Sequence, residues 1–243
     1  MARATVAEAA AFPSGTPPHQ LVRAGDGLVA STLVPGDETE YELAVRHSAA
    51  RIARFNPVDP GDFRARLAQQ SSAQRMVLVR LEDPASAAAA LAQQGRWGEG
   101  RPGCAPVGAP LHGVVARVNV TNIVRGRFQS ATLGYDALDP WAGTGWFTRA
   151  LRLVVDLALA PARPSPEPAG RAGSGETGGF GLHRVEANVQ PHNVASLRVL
   201  QRVGFRREGY VERMLFVPGL DGREQWCDHV LHGLTREEWR TNR

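Results

Sequence analysis

The stretch Ser130 to Ala160, SATLGYDALDPWAGTGWFTRALRLVVDLALA, places a strand, a glycine loop and a helix in immediate succession. Residues Ala131 to Tyr135 alternate in character as a strand does, and Leu151, Val154, Val155, Leu157, Ala158 and Leu159 form the apolar stripe of a helix. Between them lies Ala142-Gly143-Thr144-Gly145-Trp146-Phe147. Glycines at a helix start let the backbone come close to a ligand. The unpaired first-turn N–H groups and the positive end of the helix dipole then favour an anion such as pyrophosphate. The loop is not a Rossmann fingerprint, because Thr148 occupies the place of the third glycine. It is not a P-loop either, since the sequence contains no lysine. A nucleotide-like ligand is the expectation, and the surroundings must decide it.

Upstream, His112 to Ile123 (HGVVARVNVTNI) reads as a strand, joined antiparallel to the first through a turn at Arg125-Gly126-Arg127. Residues 82–111 change to an alanine run followed by glycine, proline and isolated polar residues, which marks an insertion of a short helix and a surface loop. Before it, Arg75 to Leu81 is a buried strand. Asp59-Pro60-Gly61-Asp62 caps a helix carrying Phe63 and Leu67, and Gly36-Asp37-Glu38 caps one carrying Tyr41, Leu43, Ala44, Val45 and Ile52. Leu28 to Pro35 is strand-like, and residues 1–27 read as a loose tail.

Downstream, residues 161–179 are dense in proline, glycine, serine and alanine and form a second insertion. His183 to Val189 reads as a strand and Ser196 to Val203 as a helix closed by Gly204. Strands from Phe205 to Val217 and Glu224 to Leu234 follow, turned at Gly219-Leu220-Asp221-Gly222, before a last turn from Thr235 to Trp239. Residues 28–240 are thus read as one domain.

A chain of 243 residues, 43% hydrophobic and 21% charged, can bury one full core. Its formal charge of +4 sets arginines against nearly as many carboxylates, dispersed along helices and loops. Direct nucleic-acid binding, which calls for a clustered basic stripe, is not expected. No apolar run reaches the roughly 18 residues of a membrane span, and the first residues lack the basic-then-apolar order of a secretory signal. The reading is cytoplasmic, with no membrane partner. Cys104 and Cys227 have no metal-ligand spacing, so they read as ordinary reduced thiols and no metal is expected.

The order of elements resembles that of the GNAT N-acetyltransferases. The strings NIVRGRFQSATLGY, GTGWFTRAL, LHRVEANVQPHNVASLRVLQRVGFRREGY and WCDHVLHGLTREEW resemble those of Rim-type enzymes, which acetylate the N-terminal alanine or serine of ribosomal proteins. The alanine-specific kind is the most similar, over roughly Leu28 to Trp239. The resemblance implies an α/β GNAT fold: a central, mixed, mostly antiparallel sheet flanked by helices, with a splay between the two strands that hold acetyl-CoA.

It also implies site residues. The family loop Gln/Arg-x-x-Gly-x-Gly/Ala falls on Ala142 to Phe147 and departs at Ala142 and Phe147. Backbone N–H groups hold the phosphates, so the change at Ala142 is expected to weaken the site more than abolish it. The cosubstrate residues implied are Gly143, Thr144, Gly145, Trp146 and Phe147, with Leu133, Gly134 and Tyr135 facing Glu186 to Val189 across the splay. Asn193 and Ser196 match an Asn-x-x-Ser motif, in which the amide suits the pantetheine and the hydroxyl the thioester sulfur. Both residue types also serve as ordinary helix N-caps.

Leu200 stands where many relatives carry a tyrosine acid, which makes Ser196 the acid candidate. Glu186 is the base candidate, a salt bridge to a nearby arginine being the equal alternative, and Glu212 is the second. Leu215 stands where serine-specific relatives carry a base glutamate. His183, His192 and His229 lack a nearby nucleophile for a triad, while Asp228-His229 reads either as groove lining or as a strand-borne pair. Trp141, Trp146, Trp226 and Trp239 read as core or lid aromatics.

The function implied is direct transfer of acetyl from acetyl-CoA to a primary amine, first the N-terminal amine of a ribosomal protein, by a monomer or homodimer. The alternatives are a small-amine acetyltransferase acting on an antibiotic or polyamine, and a non-catalytic acyl-CoA-binding regulatory module.

Overall fold

The structure is a computed structural model describing residues 20–97, 111–162 and 178–241. It opens with a hairpin of β1 (Val22–Gly25) and β2 (Leu28–Thr32), followed by α1 (Glu38–Ile52), α2 (Phe63–Ala68) and β3 (Arg75–Leu81). Next come α3 (Pro84–Gln93), β4 (Val114–Val124), β5 (Ser130–Ala137) and α4 (Trp146–Leu159). The chain closes with β6 (Arg184–Val189), α5 (Val194–Val203), the hairpin of β7 (Arg206–Pro218) and β8 (Glu224–Thr235), and α6 (Arg236–Thr241). The strands form one sheet in the order β1-β2-β3-β4-β5-β6-β8-β7, with β5 and β6 parallel and the other neighbours antiparallel.

Side-chain alternation divides the core between the two faces of this sheet. In β3, Val77, Val79 and Leu81 join the core under α4, while Met76 and Leu78 join the one under α1. Helix α1 buries Tyr41, Ala44, Val45, Ser48 and Ile52, spaced by three, four and seven residues along one face. The stripe of α4 adds Phe147 and Ala150 to the six apolar positions legible in the sequence. Each such buried leucine or valine contributes about 1.5–3 kcal/mol.

Arg117 on β4 lies between α1 and the sheet, 1% exposed. It donates to Asp136 Oδ2 at 2.8 Å and to the Tyr41 hydroxyl at 2.8 Å, and Tyr41 donates to Asp62 at 2.6 Å. Burial works against its charge, yet Asp136 and Tyr41 hold the Arg117 pKa above its ordinary value.

One reading of the sequence changes. Residues 22–25, assigned to the tail, form the edge strand β1, because Asp26 and Gly27, with φ of 56° and 72°, make a two-residue turn onto β2. The Asp-Gly pair between two short runs is the hairpin signal in the sequence, masked by the tail-like composition around it. The short helix expected in the first insertion is α3, and the residues after its end reach the glycine loop. Residues 1–19, 98–110 and 163–177, with Cys104 and most of the second insertion, lie outside the described residues. That insertion's two ends meet, Gly179 N–H donating to the Pro161 carbonyl at 2.9 Å and Gly181 N–H to that of Ala160 at 2.8 Å. Among the described residues no helix is long and apolar enough to cross a membrane.

Candidate active site

The parallel ladder between β5 and β6 is short. It pairs Ser130 with Arg184, Ala131 with Val185 and Thr132 with Glu186, and there it stops. Strand β5 continues to Ala137 held by β4, and β6 continues to Val189 held by β8. Beyond Thr132 the two strands therefore leave each other's backbone groups unmatched, over residues 133–137 and 187–189. Unmatched N–H and C=O groups on two facing strands suit an extended ligand lying between them. Leu133, Gly134 and Tyr135 belong to this stretch, whereas Glu186 is the last paired residue of β6.

The glycine loop lies at the start of α4. Gly143 has φ of 75° and Gly145, the N-cap residue, φ of 99°, both in the region that side chains disfavour. No atom would meet a Cβ at Gly143 within 4 Å, so backbone conformation rather than crowding calls for glycine there. Thr144 is buried and turns inward: its hydroxyl donates to the Trp141 carbonyl at 2.5 Å and its N–H to the same atom at 3.3 Å. Thr144 thus closes the loop, leaving the N–H groups of Trp146, Phe147 and Thr148 as first-turn donors without an intrahelical acceptor. Trp141 is fully buried and ties the loop to the strand side through its indole N–H, 2.9 Å from the His112 carbonyl. Trp146 stacks under the Arg149 guanidinium at 4.0 Å.

Phe147 packs on Tyr135, ring centres 5.5 Å apart. The Tyr135 hydroxyl lies 2.8 Å from Ser196 Oγ, which links the open end of β5 to the first turn of α5. Burial raises the Tyr135 pKa above its ordinary value, against a smaller opposing effect of the Ser196 bond, so the hydroxyl stays protonated. Asn193 is the N-cap of α5, its side-chain oxygen accepting from Ser196 N–H at 3.2 Å. The capping reading therefore describes Asn193, whose amide N–H groups remain to meet a ligand, and not the Ser196 hydroxyl. The Tyr135 side chain is the partner that sequence reasoning missed. Nothing in the spacing of residues 135 and 196 signals it, because α5 brings them together only in the fold.

Val185, Ala187 and Val189 face the α4 core, which turns Arg184, Glu186 and Asn188 to the other side of the sheet. There Glu186 accepts from Arg184 Nε at 2.7 Å, and Arg184 also pairs with Glu208. The salt-bridge alternative for Glu186 is thus realised. Glu186 lies opposite Thr132, three residues and about 10 Å down the strand from the level of Tyr135.

Glu212 is exposed beside a bulge of β7, where Arg213 has φ of 51°. Asp228 holds that bulge, accepting from Arg213 N–H at 2.8 Å and from the Tyr210 hydroxyl. His229 is 4% exposed, with Nδ1 2.9 Å from the Cys227 carbonyl. A carbonyl only accepts, so Nδ1 carries the proton and Nε2 the lone pair. Burial lowers the His229 pKa, with His192 acting in the same direction. Trp141 and Trp239 are core residues, whereas Trp226 is exposed and meets Phe216 across the β7–β8 hairpin at 5.7 Å.

A mixed sheet with one short parallel ladder, a glycine loop opening α4 and a capped serine at the start of α5 define an acetyltransferase scaffold. The acetyltransferase (GNAT) domain family matches residues 49–206, and the chain belongs to this family. The [ribosomal protein uS5]-alanine N-acetyltransferase of Escherichia coli strain K12 is 32% identical over 130 residues, 54% of this chain and 55% of that protein. The chain thus spans about half the length of the curated relatives it matches. Ribosomal-protein-S5-alanine acetyltransferase from Vibrio fischeri superposes with a TM-score of 0.61 at 18% identity, over 90% of this chain and 98% of that one. Mycobacterium smegmatis RimJ in complex with CoA-disulfide gives 0.58 at 21% identity, over 90% and 86%. At these identities the two superpositions speak for the α/β GNAT fold.

Proposed function

We propose that this chain transfers acetyl from acetyl-CoA directly to a primary amine, first of all the N-terminal amine of a protein such as a ribosomal protein. The observation that carries the reading is the Tyr135–Ser196 contact of 2.8 Å at the open end of the β5–β6 ladder. The 32% identity to a ribosomal-protein alanine N-acetyltransferase supports an N-terminal alanine as acceptor.

Acetyl-CoA supplies the activated acyl group. The backbone of residues 133–135 and 187–189 pairs with the pantetheine arm, the Asn193 amide adds donors, and the first turn of α4 holds the pyrophosphate. The amine nitrogen attacks the thioester carbonyl, the C–S bond breaks, and the Ser196 hydroxyl protonates the departing thiolate. In this mechanism Tyr135 is the donor of the shared hydrogen bond, which points the Ser196 proton away from the phenol, and the proton taken from the amine returns to Ser196 through water.

An α-amino group has a reference pKa of about 7.7–8.0, so a modest base acting through water suffices. The base assigned here is His229, which precedes Val230, the partner of Val189 at the open end of β6, and carries the lone pair on Nε2, whereas Glu186 is engaged by Arg184. Because burial depresses the His229 pKa, its base form persists as the pH falls towards 6.5, the ordinary value. His229→Gln is expected to lower kcat/KM about 10- to 100-fold below pH 8, and less above it where the amine is already neutral. Glu186→Gln is expected to leave the profile unchanged; a loss confined to pH below the amine's pKa would return the role to Glu186.

The test of the function is thiol release from acetyl-CoA against N-terminal peptides beginning with Ala or Ser, beside spermidine and an aminoglycoside. Peptide-dependent release is expected, with Ala ahead of Ser. Reaction with the small amines alone would replace the protein N-terminus by a small amine, and coenzyme binding without turnover would indicate a regulatory module.

A further inference from the structure

Resting on the acetyl-CoA reading above, we propose that Arg96 is a ligand of the cosubstrate pyrophosphate, delivered to the glycine loop by α3. The loop itself, Ala142 to Phe147, contains no basic side chain. Its backbone donors bring only partial charges to a ligand that carries full negative ones. Arg96 makes up the difference from elsewhere in the chain. Its Nη2 donates to the Thr144 carbonyl at 2.5 Å and lies 3.8 Å from where a Cβ on Gly145 would be. The cation is therefore held against the residue that opens α4.

The guanidinium has five N–H donors. Thr144 takes one, and Gln94 Oε1 is a long 3.4 Å from Nη1. The residue is otherwise exposed, and among the described residues no carboxylate pairs with it. Arg149, the other nearby cation, is differently engaged, stacked on Trp146 and donating to the Asp26 carbonyl at 2.5 Å.

The chain fixes Arg96 from both sides. Helix α3 starts at Pro84 behind Asp83, which caps Ser86 N–H at 2.9 Å, and ends in a left-handed Gly95 with φ of 63°. Gly95 N–H donates to the Ala92 carbonyl at 2.9 Å and Arg96 N–H to the Leu91 carbonyl at 2.8 Å, the double bond pattern of a Schellman C-cap. On the far side Trp97 stacks on buried Trp141 with ring centres 4.9 Å apart. A cation with both neighbours anchored loses less freedom on binding than one on a loose loop.

The experiment compares wild type, Arg96→Ala and Arg96→Gln for CoA affinity by calorimetry over a range of salt. Turnover with acetyl-pantetheine, which lacks the pyrophosphate, is followed alongside. Glutamine keeps an N–H for the Thr144 carbonyl but removes the charge, so it separates a phosphate ligand from a loop brace. Both variants are expected to raise the Kd for CoA about 10- to 100-fold at low salt, the span of a charge-assisted hydrogen bond, and to flatten its salt dependence. Acetyl-pantetheine turnover is expected to stay at the wild-type level. Wild-type CoA affinity in Arg96→Gln, or an equal loss with acetyl-pantetheine, would overturn the inference. A wild-type protein without CoA affinity would instead overturn the acetyltransferase reading itself.

Discussion

Ser196→Ala is expected to lower kcat about 100-fold at saturating acetyl-CoA while leaving CoA affinity close to wild type, the effect of removing a general acid. The substitution is clean because Asn193, not the Ser196 hydroxyl, caps α5. The helix start should therefore survive, and a thermal melt would confirm it. Tyr135→Phe removes only the hydroxyl that positions Ser196, and its turnover is expected to fall about tenfold, with Phe147 still packed against the ring. Steady-state kinetics separates the two: the loss should sit in kcat and not in KM for acetyl-CoA. Unchanged turnover in Ser196→Ala would reduce Ser196 to a residue of the helix start and move the acid elsewhere.

Arg117→Met is expected to destabilise the fold by about 3–5 kcal/mol, the cost of leaving one partner of a buried ion pair behind. Asp136 would remain with 8% of its side chain exposed, losing the 2.8 Å bond to Arg117, with only a 3.5 Å contact to Asn56 Nδ2 in its place. Tyr41 would lose the donor that offsets its burial. Urea unfolding of the single variant and of Arg117→Met with Asp136→Leu provides the check, and the double variant is expected to recover most of the loss because no charge is left unpaired. A single variant within 1 kcal/mol of wild type would show that water reaches Asp136. The network lies beside the open end of β5, so its loss should also loosen α1 against the sheet.

The glycine loop, the helix after it and the strands that alternate strictly were legible in the sequence, because each is written in local spacing. Arg75 to Leu81 is strand β3 to the residue, and the helix ending at Gly204 stops where a left-handed glycine must stop it. The edge strand β1 was less legible: four residues carry little periodicity, and their identity as a strand comes from pairing with β2. The site divides along the same line. Gly143 and Gly145 could be named from a local motif, and Asn193 and Ser196 from the family resemblance. Glu186 was open between base and salt bridge because a strand position says which face a carboxylate takes but not which arginine awaits it there.

The sequence by itself determined the strands, the helices and the glycine loop, and through its resemblance the class of fold, since a helix stripe, a left-handed glycine and an unpaired first turn follow from neighbours a few residues apart. Only the tertiary structure decided that Tyr135 meets Ser196 across 61 positions, that Arg117 joins Asp136 and Tyr41, and that Arg96 reaches Thr144 across 48. Those contacts depend on how sheet, helices and insertion pack in space, which local periodicity does not encode.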